Sequence, residues 1–241
     1  MSSVPSGVAA TEGVGGNRAG RQLQLADLRN DDHFPAFDDL SPNFYAGDPD
    51  ASDDEIGGGP ANWCFLAEIL DAENFTRVRL VVRDKEGAKV VLAFYTEDRG
   101  NELKRSLLRP GNTVAVLRAR SHQFLDSSVG VRQEKENAVK IITATLTELL
   151  RLSDSVRIYS KDAAGKVCHG CDEEKKPLLR CAKCAMFWYC GRDCQMTGWN
   201  EKGHKRDCKI IRDNDLRSFF LFNWTSSQAK PRFPLPAPTA G

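Results

Sequence analysis

Residues 168–208 read CHGCDEEKKPLLRCAKCAMFWYCGRDCQMTGWNEKGHKRDC and hold seven of the chain's eight cysteines. Cys168 and Cys171 form a C-x2-C pair, Cys181 and Cys184 a second, Cys190 and Cys194 a C-x3-C pair, and His204 and Cys208 an H-x3-C pair. A C-x2-C turn can place both sulfurs about 2.3 Å from one zinc ion, which takes four such soft ligands tetrahedrally. His204 and Cys208 are four residues apart, so on a helix they share a face and can share an ion. Eight ligands in four pairs fill two closed sites. With no position left open for a reactive water, the two zinc ions are expected to be structural rather than catalytic. So short a stretch buries too little apolar surface to fold alone, and a structural zinc supplies the missing free energy, on the order of 10 kcal/mol per site. Spacing does not decide which pairs share an ion.

Composition favours metal over disulfides. The N-terminus MSSVPSGVAATEGVGGNRAG has no basic start followed by an apolar stretch, and no apolar run in the chain is long enough to span a membrane. The expectation is an intracellular protein, nuclear or cytoplasmic, where thiols stay reduced and clustered cysteines hold metal. The overall net charge of +1 hides an asymmetry: residues 1–59 carry a net −8, residues 60–150 carry +2 and residues 151–241 carry +7. Seven thiolates and two divalent ions would lower the last figure to about +4. A modestly basic module beside an acidic tail does not by itself demand nucleic acid.

Outward from the cysteines, the chain divides by pattern. Residues 1–59 are rich in Gly, Ser and Asp with little periodic apolar content, so they are expected to be a disordered acidic region, with Phe34, Phe37, Phe44 and Tyr45 loosely packed or reserved for a partner. Residues 60–150 hold short, β-branched, alternating runs: NWCFLAEIL, RVRLVVRD, KVVLAFY, a strand starting at Thr113, GVRQE and AVKIIT. DKEGA makes a hairpin turn between the second and third. About six short strands, with a single short helical stretch at ELKRSLL, predict a small all-β domain, an OB-like barrel. A short helix is expected near residues 146–152, and another in KIIRDNDLRSFFLFNW before a mobile proline-rich tail. Cys64, remote from the cluster in an apolar strand, reads as a buried core thiol.

The aromatic Tyr189 before the fifth cysteine of the cluster, and Cys194-Gln195-Met196-Thr197-Gly198-Trp199 after it, make residues 168–208 resemble a MYND zinc finger, a small two-zinc α+β module. The gap from Cys194 to His204 exceeds the family's commonest spacing, which touches only the local loop. The resemblance implies interleaved ligation: Cys168, Cys171, Cys190 and Cys194 on one ion, Cys181, Cys184, His204 and Cys208 on the other. His169, inside the first pair, is then left to point to solvent, and Phe187 and Trp188 to form the small core. The resemblance also implies a protein-interaction adaptor, of the kind found in transcriptional regulators, that docks proline-containing peptides. An extended proline segment has already lost much of its entropy and needs an aromatic platform and a few hydrogen bonds. Trp199 can be that platform and Gln195, one helical turn earlier, a backbone partner; equally, Trp199 can pack the module's helix against its own zinc loops. The FPLPAP tail offers an internal peptide, although Phe233 stands where a P-x-L-x-P ligand needs proline.

A rival reading is single-stranded nucleic-acid binding on the barrel, with bases stacked on Phe94, Tyr95 and Phe124 beside Arg77, Arg79, Arg118 and Arg120. Some MYND proteins carry a methyltransferase domain. Here residues 60–145 are too few and too strand-dominated for that, and no phosphate loop, nucleophile elbow or H-E-x-x-H occurs. No enzymatic activity is expected.

Overall fold

The computed structural model describes residues 25–42, 62–160, 165–174, 177–228 and 230–236. Strands β1 (Cys64–Asn74), β2 (Val78–Asp84) and β3 (Lys89–Phe94) form an antiparallel meander, followed by β4 (Thr113–Leu117), β5 (Ser121–Gln123), β6 (Val129–Gln133) and β7 (Val139–Ile142). β1 is long enough to serve two neighbours: its second half pairs with β2 and its first half with β4. A bulge between Ile69 and Asp71 bends it, as a barrel corner requires. β3 pairs in parallel with β6, which pairs antiparallel with β5. Because β5 continues from β4 through residues 118–120, the order β1-β2-β3-β6-β5/β4-β1 closes, and β7 adds to the outer side of β4. That connectivity is the expected OB-like barrel. Its interior is Phe65, Ile69, Leu80, Val82, Leu92, Phe94, Val114 and Val131, buried together.

Helix α1 (Leu146–Tyr159) is twice the length anticipated from its apolar run. A signal for its start was present at Thr145-x-x-Glu148: the Thr145 hydroxyl accepts from the Glu148 N–H and the Glu148 carboxylate accepts from the Thr145 N–H, both at 3.2 Å, a reciprocal capping box. A two-stranded ribbon, β8 (Leu179–Arg180) with β9 (Trp188–Tyr189), and helices α2 (Arg192–Asn200), α3 (His204–Ile211) and α4 (Asn214–Leu221) follow. Thus the region after Cys208 contains the end of α3 as well as the helix expected there.

Two expectations are corrected here. The first is that residues 1–59 form a disordered acidic region. Residues 1–24 and 43–61 lie outside the described residues, but residues 25–42 are a strap across the molecule. Leu28 and Phe34 are completely buried, and Phe34 packs on Phe219 and Trp224 at centroid distances of 5.6 and 4.9 Å. The strap is stapled on all sides. Ala26 N–H donates to Phe220 O, Leu28 N–H to Ser153 Oγ, Cys64 N–H to His33 O and Phe37 N–H to Asp84 Oδ2. The apolar residues are too widely spaced for helix or strand periodicity, because they occupy holes between other elements rather than one face of their own.

The second concerns how the parts meet: the expected β-domain and finger are both present, but they do not pack separately. One core joins the strap (Leu28, Phe34), the underside of the barrel (Leu66, Ala115, Ile142), α1 (Leu149, Leu152, Val156), the cysteine-rich region (Met186, Phe187, Tyr189, Ile211) and α4 (Leu216, Phe219). The tail, too, is not passive throughout. Phe233 stacks on Phe219, its N–H donates to Asn137 O, and buried Leu235 donates its N–H to Asp215. It therefore lies against α4 and the turn before β7. Cys64 sits fully buried in β1, and burial raises its thiol pKa well above the ordinary value.

Candidate metal centre

The structure gathers the eight ligands into two groups whose donor atoms lie within 4.8 Å of one another: Cys168, Cys171, Cys190 and Cys194, and Cys181, Cys184, His204 and Cys208. The pairing is interleaved. The cause is β9, which carries the chain from the second knuckle back to the first: Leu179 pairs with Tyr189 and Arg180 with Trp188, leaving Cys190 beside Cys171 at 3.6 Å and Cys208, on α3, beside Cys181 at 4.0 Å. Tetrahedral zinc holds sulfurs about 3.8 Å apart and a sulfur and an imidazole nitrogen about 3.6 Å apart. His204 Nε2 stands 3.7 Å from Cys184 Sγ and 3.4 Å from Cys181 Sγ. The donor sets and their spacings therefore fit two zinc ions.

The protonation chemistry also suits a metal. Burial pushes the Cys168 thiol up, but N–H groups of Cys171, Cys190 and Gly170 aimed at its sulfur outweigh that and hold it at about 6; the Gly170 and Cys190 N–H groups each donate at 3.3 Å. Burial likewise raises Cys181, and the Cys184 and Lys183 N–H groups bring it below normal. Cys184, Cys190, Cys194 and Cys208 are raised by burial and by neighbouring sulfurs. Without an ion each group thus resists accumulating negative charge. A divalent ion reverses this and releases protons as it binds. Burial holds the His204 imidazole at about 4, so it is neutral, as a ligand must be. Its ring is enclosed by Phe187, Trp199, His169 and Tyr189 at 4.5 to 5.8 Å.

His169 does not face solvent. It is 3% exposed, its ring lies 4.5 Å from Tyr159 and 4.7 Å from Phe187, and Tyr159 hands a hydrogen bond of 2.7 Å to Asp172. The first knuckle is thus docked on the end of α1. Near the second group, Asp207 of α3, fully buried, pairs with Arg151 of α1, and Arg206 pairs with Glu148. These contacts were invisible to spacing because each joins residues far apart in sequence. Phe187 is in the core as expected, whereas Trp188 is half-buried under Lys166, whose Nζ is 3.8 Å from the ring centroid.

Gly170 shows how tight the first centre is. A Cβ there would lie 2.4 Å from Cys194 O and 2.5 Å from Cys194 Cα and Cβ. Gly170→Ala is therefore expected to open the first centre, lowering bound zinc from two equivalents to one by native mass spectrometry.

Gln195 and Trp199 stand one turn apart on α2. Gln195 is exposed; Trp199 is half-buried, its edge toward His204 and the Lys183 ammonium 5.4 Å from its ring. Met196, 49% exposed, lies beside them. On the barrel, Phe94 is fully buried and available to no ligand. Arg118 and Arg120 fall in the bend between β4 and β5, not on one strand face, and Arg118 has φ +52°. Tyr95 is clasped by Arg77 and Arg132, whose guanidinium carbons lie 3.7 and 4.1 Å from its ring centre.

Comparison with known proteins agrees with this geometry. Residues 168–208 match the model of the MYND finger, a zinc-binding protein-interaction module, and this stretch is one. The chain is 39% identical over 46 residues to the Histone-lysine N-methyltransferase SMYD1 of Homo sapiens, covering 19% of the chain and 9% of that protein. To the SET domain and MYND-type zinc finger protein 6 of Schizosaccharomyces pombe it is 40% identical over 58 residues, 23% of the chain and 12% of that protein. The chain thus spans about a tenth of the length of the relatives it matches. Among solved structures, an OB domain from Methanosarcina mazei is similar at TM-score 0.28 and 14% identity, over 38% of this chain and 81% of that one. The Schizosaccharomyces pombe Pot1pC, solved bound to single-stranded DNA, is similar at TM-score 0.28 and 10% identity, over 42% and 91%. The barrel is identified here by its strand connectivity.

Proposed function

We propose that the chain is a zinc-dependent, non-enzymatic intracellular adaptor whose MYND finger docks proline-containing peptides of regulatory proteins, transcriptional ones among them. The observation that carries this reading is the exposed face of α2. Gln195 offers an exposed side-chain amide, Met196 and the open side of Trp199 form an apolar strip, and one end of the helix is tethered through Cys194. At the other end Gly198 allows α2 to seat on Tyr189, where a Cβ would lie 2.6 Å from the ring. A platform so held binds an already extended peptide with little ordering cost on either side. Trp199 packs inward on His204 and leaves its other side partly exposed.

Trp199→Ala is expected to keep two zinc equivalents and the wild-type fold, and to weaken binding of a fluorescent P-x-L-x-P peptide by at least about tenfold, the effect of losing an aromatic hot spot. Unchanged affinity in that folded variant removes the groove. The tail does not compete for it in this structure, since Phe233 and Leu235 are engaged at α4.

Single-stranded nucleic-acid binding is the second reading, supported by Arg79 on the outer face of β2 and by the 92%-exposed Phe75 in the β1–β2 turn. It is the weaker one. Two guanidiniums over Tyr95, Arg77 from the turn before β2 and Arg132 from β6, occupy the ring a base would stack upon. A filter-binding assay with single-stranded oligonucleotides decides it: micromolar binding abolished by Arg79→Glu supports the barrel as a working surface.

A further inference from the structure

The two metal centres are unequal in access. In the second, Cys181, Cys184, His204 and Cys208 are all buried, beneath the ring of aromatics around His204. In the first, only Cys168 is buried; Cys171 is exposed, and Cys190 and Cys194 are partly so. The sulfurs of Cys171 and Cys190 are 3.6 Å apart, within reach of one another but not bonded. Solvent access and an adjacent resolving cysteine are two of the properties that mark a thiol for reversible oxidation.

We infer that the Cys168–Cys171–Cys190–Cys194 centre is a peroxide-responsive modification site, at which Cys171 is oxidised and Cys190 resolves it to a disulfide while the second centre keeps its zinc. The steps balance. The Cys171 thiolate attacks one oxygen of hydrogen peroxide, the O–O bond breaks, and the sulfur becomes a sulfenic acid as the departing hydroxide takes a proton to form water. The Cys190 thiolate then attacks that sulfur, forming the S–S bond and expelling a second hydroxide, which also leaves as water. Two electrons pass from the two sulfurs to the peroxide. Cys168 and Cys194 alone cannot retain a closed four-coordinate zinc, so the ion leaves.

The structural consequence is local to one side of the finger. Loss of the first ion frees the knuckle that seats His169 against Tyr159 and Phe187. The second centre remains pinned to α1 by Asp207 and Arg151. Reduction of the disulfide in the presence of zinc restores the starting state, because the step stops at the reversible rung of thiol oxidation.

The test uses the full chain loaded with two zinc equivalents. It is treated with hydrogen peroxide, and zinc release is followed with a colorimetric zinc indicator and by native mass spectrometry. Disulfides are then mapped after alkylation of the remaining thiols. The expected result is loss of one equivalent at least about tenfold faster than the second, with a reducible Cys171–Cys190 disulfide in the one-zinc species. Cys171→His, which retains a ligand but removes the exposed thiol, is expected to slow release of the first ion to the rate of the second. Simultaneous loss of both ions from the wild-type chain, or a first disulfide among Cys181, Cys184 and Cys208, overturns the assignment. The wild-type result stands alone should the variant fail to bind its first zinc.

Discussion

Cys184→Ser is expected to remove the second zinc ion and most of the folded structure with it, not the finger alone. Cys184 is completely buried and belongs to the same core as Leu149 and Leu152 of α1, Leu66 and Ala115 of the barrel and Phe34 of the strap. A structural zinc site is worth on the order of 10 kcal/mol, against a total stability of about 5–15 kcal/mol for a domain. The serine hydroxyl would leave three ligands around a buried position. Far-UV circular dichroism and a thermal melt of the variant check this: a cooperative transition near the wild-type temperature, with one zinc retained, would show that the barrel and α1 stand without the second centre. Exhaustive chelation of the wild-type chain should reproduce the variant's loss of structure.

Phe34→Ala should destabilise the chain by about 3–5 kcal/mol, the usual cost of emptying a buried phenylalanine site. The ring lies between Phe219 and Trp224 at the meeting of strap, α4 and barrel, so no neighbour can collapse into the vacated space without moving a whole element. If residues 25–42 were instead a solvated tail, the same substitution would change stability by no more than about 0.5 kcal/mol. Urea denaturation of the two chains separates these outcomes, and a matched change at exposed Phe75 serves as the control for loss of an aromatic from the surface.

Both results turn on a feature that local reading does not reach. The periodicity of β1 to β4, the β6 and β7 runs and the eight ligand positions were legible because each is encoded over a few neighbouring residues: alternation for strands, two- or three-residue gaps for metal knuckles. The start of α1 was written in Thr145 and Glu148. Gln195 and Trp199 could be singled out by their spacing on α2, though not which side of Trp199 would remain open.

What the amino-acid sequence determined by itself is therefore the chemistry and the parts: two closed zinc sites, a small β-barrel and a finger with an aromatic on its helix. The assembly was decided by tertiary structure. The strap lacks any period because Leu28 and Phe34 fill separate gaps, and His169 is buried because Tyr159, ten residues earlier, ends a helix longer than its apolar run suggested. Asp207 and Arg151 find each other across 56 residues. Such contacts depend on where elements meet in space, and the composition of either partner alone carries no trace of the other.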